Sequence, residues 1–180
     1  MTQKKHSIYA LHRAREEKIF LKKSKFLGVI TEDEIVLALD EQQTFATDGL
    51  YLFSVREEVS PHYVMGVLNS RLFVFIYRLL AIESGRVLAQ VKPTVLGALP
   101  IRAIDFANRQ EKARHDQMVN LVEQRLDLQK RLANANTPQE KTSLQRQIAS
   151  NDAQINGLVN DLYSLTAQEI QTIEAGQTVG

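Results

Sequence analysis

A chain of 180 residues with 44% hydrophobic content can bury one core, and its longest apolar run, Leu72 to Ile76, falls far short of the roughly 20 residues a membrane span requires. The absence of cysteine excludes a disulfide framework, a thiolate nucleophile and a Cys-based zinc site. The net charge of +1 hides an uneven distribution: eight basic residues against two acidic in residues 1–30, six against ten in 31–106, and eight against nine in 107–180.

The basic N-terminal stretch MTQKKHSIYALHRAREEK lacks the apolar segment and small-residue cleavage site of a secretory signal, so the cytoplasm is the expected compartment. Residues 1–16 read as a basic extension, and residues 17–106 as an α/β domain. From Lys18 to Val55 the pattern is that of three or four strands: KIFLKK, GVI, EIVLALD and LYLFSV. In EIVLALD, Ile35, Leu37 and Leu39 alternate with Val36, Ala38 and Asp40, which predicts one buried and one half-exposed face of an antiparallel or mixed sheet. Gly28 and Asp48-Gly49 are placed in turns.

The period changes at Ser60-Pro61, an N-cap followed by a proline at the first helical position. Tyr63, Val64, Val67 and Leu68 follow helical spacing, Asn69-Ser70 predicts a break and a new cap, and Leu72 to Leu80 forms a second apolar stretch. VLAQV is short and extended in pattern, and a helical turn after Pro93 precedes Leu99-Pro100-Ile101.

Two long helices follow, from about Arg109 to Ala133 and from about Pro138 to Tyr163, and the short link between them requires an antiparallel hairpin over residues 107–163. Their partner-helix seam is read at Met118, Leu121, Leu128, Leu132, Ile148, Ile155 and Leu162. Thr137 with Glu140, and Thr166 with Glu169, have capping-box spacing, the second pair opening a short terminal helix within residues 164–180. Asn151 and Asp152 fall close to the seam, where a polar residue either fixes register or sits on the solvated flank. The predicted fold class is α+β: a small mixed or antiparallel sheet with packed helices, then the long two-helix hairpin.

No catalytic constellation accompanies these elements. Pro61, Pro93, Pro100 and Pro138 are isolated, so the Asn/Asp-Pro-Pro-aromatic clamp of amino-methyltransferases is missing. Phe26-Leu27-Gly28 only faintly echoes a methyl-donor glycine motif, because no second glycine and βα unit follow it. Glu16-Glu17-Lys18 matches the second half of a nuclease motif, but no acidic residue precedes it. His6, His12, His62 and His115 have no metal-ligand spacing. The chain itself therefore reads as non-enzymatic, with no cofactor or metal site.

The order VLNSRLFVFIYR, ESGR, QVKPTVLGALPI and EKARHDQMVNLVEQRLDLQKRL, closed by NTPQEKTSLQRQIASNDAQINGLVNDLYSLTAQEIQTIE, resembles the C-terminal specificity domain of TaqI-like and Eco57I-like adenine-specific DNA methyltransferases and single-chain restriction-modification enzymes. More distantly it is similar to the specificity subunits of type I systems. The resemblance runs from about Glu17 to Glu174. It implies a target recognition domain that binds double-stranded DNA and confers specificity on a methyltransferase catalytic domain or subunit, which holds the S-adenosylmethionine (SAM). It also implies that KIFLKKSKF is the opening strand and loop approaching DNA, that ALDEQQTFATDGLYLF forms the strands that follow, and that LPI is a strand edge leading into the hairpin. Lys22, Lys23, Lys25, Ser84, Arg86, Gln90 and Lys92 are the expected DNA contacts, being the Lys, Arg, Gln and Ser types that meet phosphates and base edges from loops. Without an upstream catalytic domain the chain is expected to be a fragment, a separate subunit or a gene remnant. The pattern alone leaves open a coiled-coil interaction or scaffold protein that dimerises through the hairpin without binding DNA.

Overall fold

The computed structural model of the chain describes residues 17–30, 35–46, 49–80 and 93–176. It begins with a single helical turn, α1 (Glu17–Phe20), where KIFLKK predicts a strand. Only Phe20 of this stretch reaches the interior, and Leu21, Lys22 and Lys23 remain exposed. The segment therefore lacks the alternating buried face that holds a strand in a sheet.

Three antiparallel strands follow, β1 (Lys25–Val29), β2 (Leu37–Asp40) and β3 (Leu50–Phe53), in the order β2-β1-β3. Directly opposed residues share a face. Phe26 with Leu39 and Phe53, and Gly28 with Leu37 and Tyr51, therefore form the core side, and Lys25 with Asp40 lies on the other side. Phe26 and Phe53 stack with centroids 4.8 Å apart. Gly28 thus sits inside a strand rather than in the predicted turn. A Cβ there would lie 2.0 Å from Cζ of Tyr51, so the glycine leaves room for the ring that crosses it. Asp40, predicted on the half-exposed face, is buried. The outer edge of β2 is blunted by Asn69, whose Nδ2 donates to the Leu37 carbonyl at 3.2 Å.

Ser60 and Pro61 open α2 (Pro61–Leu68) as their types dictate, the Ser60 hydroxyl accepting from the Tyr63 N–H at 3.3 Å. Tyr63 through Leu68 are all buried, because α2 lies between the sheet and the first long helix. At Gly66 a Cβ would meet Met118 Sδ at 2.4 Å and Val122 Cγ2 at 2.9 Å, so glycine permits this close helix–helix approach. The predicted break falls at Asn69-Ser70, and α3 (Arg71–Leu80) leaves at 66° to α2. Ser70 is buried; its hydroxyl donates to the Val67 carbonyl at 2.6 Å and accepts from the Phe73 N–H at 3.4 Å. The short α4 (Pro93–Gly97) is followed by an irregular strap, so LPI is not a strand. The strap is held by side chains: Tyr63 Oη donates to the Arg102 carbonyl, and Tyr163 Oη donates to the Pro100 carbonyl while accepting from the Arg102 N–H, each at 2.9 Å.

The long helices are α5 (Arg109–Asn134), capped by Asn108, and α6 (Pro138–Leu162), capped by Thr137. They run antiparallel: residues 135–137 alone link them, and Leu128 packs with Leu144 near that link whereas Leu121 meets Asn151 further from it. Asn151 is in the seam: it is buried, and its Nδ2 donates to the Leu121 carbonyl at 3.1 Å. Asp152 takes the flank, accepting from Arg125 Nε at 2.7 Å. The last helix, α7 (Ala167–Gly176), has a reciprocal capping box, the Glu169 carboxylate accepting from the Thr166 N–H at 2.8 Å and the Thr166 hydroxyl from the Glu169 N–H at 3.3 Å.

One apolar cluster joins the sheet (Phe26, Leu37, Tyr51), α2, α3 (Phe73, Tyr77), the long helices (Met118, Leu121, Ile155, Leu162) and Ile173 of α7. A smaller cluster of Leu128, Ala135 and Leu144, with Leu132 and Ile148 against it, closes the far end of the helical pair. All seven predicted seam residues therefore pack within the chain.

Candidate nucleic-acid interface

The sheet end where β1 begins and β2 finishes carries two loops, residues 21–24 and 41–46. Both are built on Asp40. Its carboxylate pairs with the Lys25 ammonium, accepts from the Gln42 N–H at 3.2 Å and the Thr44 N–H at 2.9 Å, and accepts the Thr44 hydroxyl at 2.8 Å. Burial alone would raise the Asp40 pKa, but the bonds from Lys25, Thr44 and Gln42 outweigh it and bring it down to about 2. Lys25 also donates to the Phe20 carbonyl at 3.1 Å, which ties the end of α1 to the same carboxylate.

The loops are then joined to each other. Gln43 Nε2 donates to the Leu21 carbonyl at 2.9 Å, and Phe45 stacks on Phe20 with ring centroids 4.8 Å apart and planes 18° apart. Gln43 has φ 56°, a left-handed conformation that a non-glycine residue adopts at some cost, here set against its bond to Leu21. The resulting tip exposes Lys22, Lys23, Glu41, Gln42, Gln43, Thr44 and Phe45. It combines ammonium groups suited to phosphates with amide and hydroxyl groups suited to base edges.

Elsewhere, an open groove of about 700 Å³ runs between β2 and helices α2, α5 and α6. Arg125 on its wall is matched by Asp152 at 2.7 Å, and Arg71 by Glu174 at 3.4 Å. Among the described residues no group of three His, Asp or Glu side chains is placed to hold a metal ion. No single described helix is long and apolar enough to cross a membrane; α2 and α3 reach that composition only as a bent pair, and α2 is spent on the core.

The sequence model of the TaqI-like C-terminal specificity domain matches residues 1–101. The chain belongs to this family. No curated protein matches it. The matched part of the TaqI-like specificity domain contains the sheet, α1 to α4 and both loops of the tip, and stops at Ile101 before the long helices, which the resemblance read in the sequence also takes in.

Within this specificity domain the expected DNA contacts separate. Lys22 and Lys23 are exposed on the first loop of the tip. Lys25 is not available to a phosphate: it is 1% exposed, and its ammonium is taken by Asp40 and the Phe20 carbonyl. Strand alternation accounts for this, since Lys25 is the first residue of β1 and directly faces Asp40. Ser84, Arg86, Gln90 and Lys92 lie outside the described residues. Gln42, Gln43, Thr44 and Phe45, which the resemblance assigns to the strands after the first loop, lie instead in the second loop of the tip. Their signal was the polar run EQQT directly after the apolar stretch of β2, a composition that ends a strand and begins a loop.

Proposed function

We propose that this chain is the DNA-reading module of a restriction-modification adenine-N6 methyltransferase or fused endonuclease. It would confer sequence specificity on a catalytic domain or subunit that binds SAM and acts on a base turned out of the duplex. The observation that carries this reading is the two-loop tip, where a buried ion pair presents Lys22 and Lys23 beside Gln42, Gln43 and Thr44 in a chain of the specificity-domain family. Ser84, Arg86, Gln90 and Lys92 stay in the proposed contact set on resemblance alone. A homodimer through the helical pair would have to use its outer faces, because Met118, Leu121, Ile155 and Leu162 are committed to the internal core.

Binding of the full chain to duplex DNA between about 50 and 200 mM salt tests the proposal. Affinity should fall steeply with salt, and the joint Lys22→Ala, Lys23→Ala variant should flatten the log–log slope by about two, roughly one per phosphate contact removed. An affinity indifferent to salt, or a slope unchanged in the double variant, would overturn it.

A further inference from the structure

Phe45 is 66% exposed, yet its ring is stacked on another side chain rather than free. One face of its ring is covered by Phe20, which is itself 6% exposed, and the loop beneath it is fixed by the bonds of Asp40 to Gln42 and Thr44 and by that of Gln43 to Leu21. A single exposed apolar side chain needs no explanation. A stacked ring on a loop braced by Asp40 and Leu21, beside exposed Gln42, Gln43, Lys22 and Lys23, does, because the stack and the loop's bonds are in place without a partner.

We propose that Phe45 is a specificity-determining contact for the C5-methyl group of a pyrimidine in the DNA major groove. The inference rests on the DNA-reading function proposed above. Phosphate oxygens are disfavoured on the face of a ring, and base-edge donors gain far less there than from a polar partner. The C5-methyl is the apolar group that a base pair presents in the major groove. Gln42, Gln43 and Thr44, exposed on the same loop directly before Phe45, carry the groups that pair with neighbouring base edges, so a loop docked through them brings Phe45 to the same groove wall. Thymine and 5-methylcytosine both carry this methyl.

The full chain and its Phe45→Ala and Phe45→Leu variants would be used to select duplexes from a random-sequence pool. Each duplex selected by the wild-type chain would be remade with deoxyuridine for thymine, and separately with 5-methylcytosine for cytosine, one position at a time. The wild-type chain should show a pyrimidine position at which losing the methyl lowers affinity about fourfold, the effect of burying one methyl group. Adding the methyl to cytosine there should recover part of what a thymine-to-cytosine change loses; no recovery would confine the contact to thymine. Phe45→Ala should bind the two versions equally, and Phe45→Leu should keep part of the difference, with helix content unchanged in both and only a small fall in thermal midpoint from the lost stack on Phe20. Equal binding of methylated and unmethylated duplexes by the wild-type chain at every position overturns the inference, and so does discrimination that survives in Phe45→Ala. In either case salt-sensitive duplex binding would leave the DNA-reading function standing, whereas absence of any duplex binding would remove both.

Discussion

Lys25 and Asp40 form an ion pair on the face of the sheet opposite the core, with side chains 0% and 6% exposed. Taking two charges out of water is costly, and the pair is sustained by the further bonds to Phe20, Gln42 and Thr44. Lys25→Met should therefore destabilise the chain by roughly 3–5 kcal/mol, because Asp40 is left as an unpaired buried charge. Adding Asp40→Asn should restore part of the loss, which urea unfolding followed by circular dichroism would read. The salt slope of duplex binding should change less in Lys25→Met than in the Lys22→Ala, Lys23→Ala variant, since this ammonium meets no phosphate itself.

Acid should release the same anchor. The Asp40 pKa falls from 3.8 in the unfolded chain to about 2 in the folded one, so its stabilising contribution is complete above about pH 4 and is lost as pH falls through about 2. The amide resonances of Gln42 and Thr44, which donate to the carboxylate, should hold their positions down to about pH 4 and move together below it. Movement centred above pH 4 would contradict the arrangement.

The contrast between the tip and the helices explains what could be read in the sequence. Ser60 with Pro61, Asn69-Ser70, and Thr166 with Glu169 act over three or four residues, so their chemistry is visible in a short window and each lies at the predicted boundary. The two long helices are equally legible, since apolar residues recur at helical spacing along both. Lys25 was misread because its partner is fifteen residues away, and a lysine among lysines carries no local sign of burial. Gly28 was misread for the same reason: the ring that requires it belongs to Tyr51 on another strand. The position of Phe45 likewise depends on Phe20, which a strand over KIFLKK would direct elsewhere.

Gly28→Ala isolates one such long-range requirement. The new Cβ would fall 2.0 Å from Cζ and 2.3 Å from Oη of Tyr51, so the ring must move or the strands must part. Overpacking of this kind costs roughly 1–3 kcal/mol. Pairing Gly28→Ala with Tyr51→Ala should make the two changes non-additive, the glycine substitution costing much less once the ring is gone. Equal costs in both backgrounds would show that the ring is not the obstacle.

Asn151 offers a change in the opposite direction. Its Nδ2 is satisfied by the Leu121 carbonyl, but its buried Oδ1 has no hydrogen-bond partner. An unsatisfied buried acceptor costs roughly 1–3 kcal/mol, comparable to or larger than the net gain from the one bond made. Asn151→Leu should therefore leave the thermal midpoint unchanged or raise it, whereas Asn151→Asp should lower it by placing a charge in the apolar seam. A large loss on changing to leucine would mean that the polar group is needed to set the helix register.

Tyr163 joins the end of the family-matched segment to the long helices. Its hydroxyl donates to the Pro100 carbonyl and accepts from the Arg102 N–H, and the Arg102 guanidinium donates to the Leu162 carbonyl at 3.1 Å and to Glu111 at 2.9 Å. Burial raises the Tyr163 pKa, so the hydroxyl stays protonated and able to donate near neutral pH. Tyr163→Phe removes both hydroxyl bonds while keeping the ring that packs edge-on against Phe73. Because the strap is exposed and water can replace part of what is lost, the expected cost is about 1 kcal/mol rather than the sum of two buried bonds. Amide exchange should locate it: the Arg102 N–H should exchange faster, while the Leu121 and Val159 amides inside the long helices keep their protection. If the loosening spread equally through both helices, the strap would be part of the same cooperative unit as the helical core rather than a separately held connection to it.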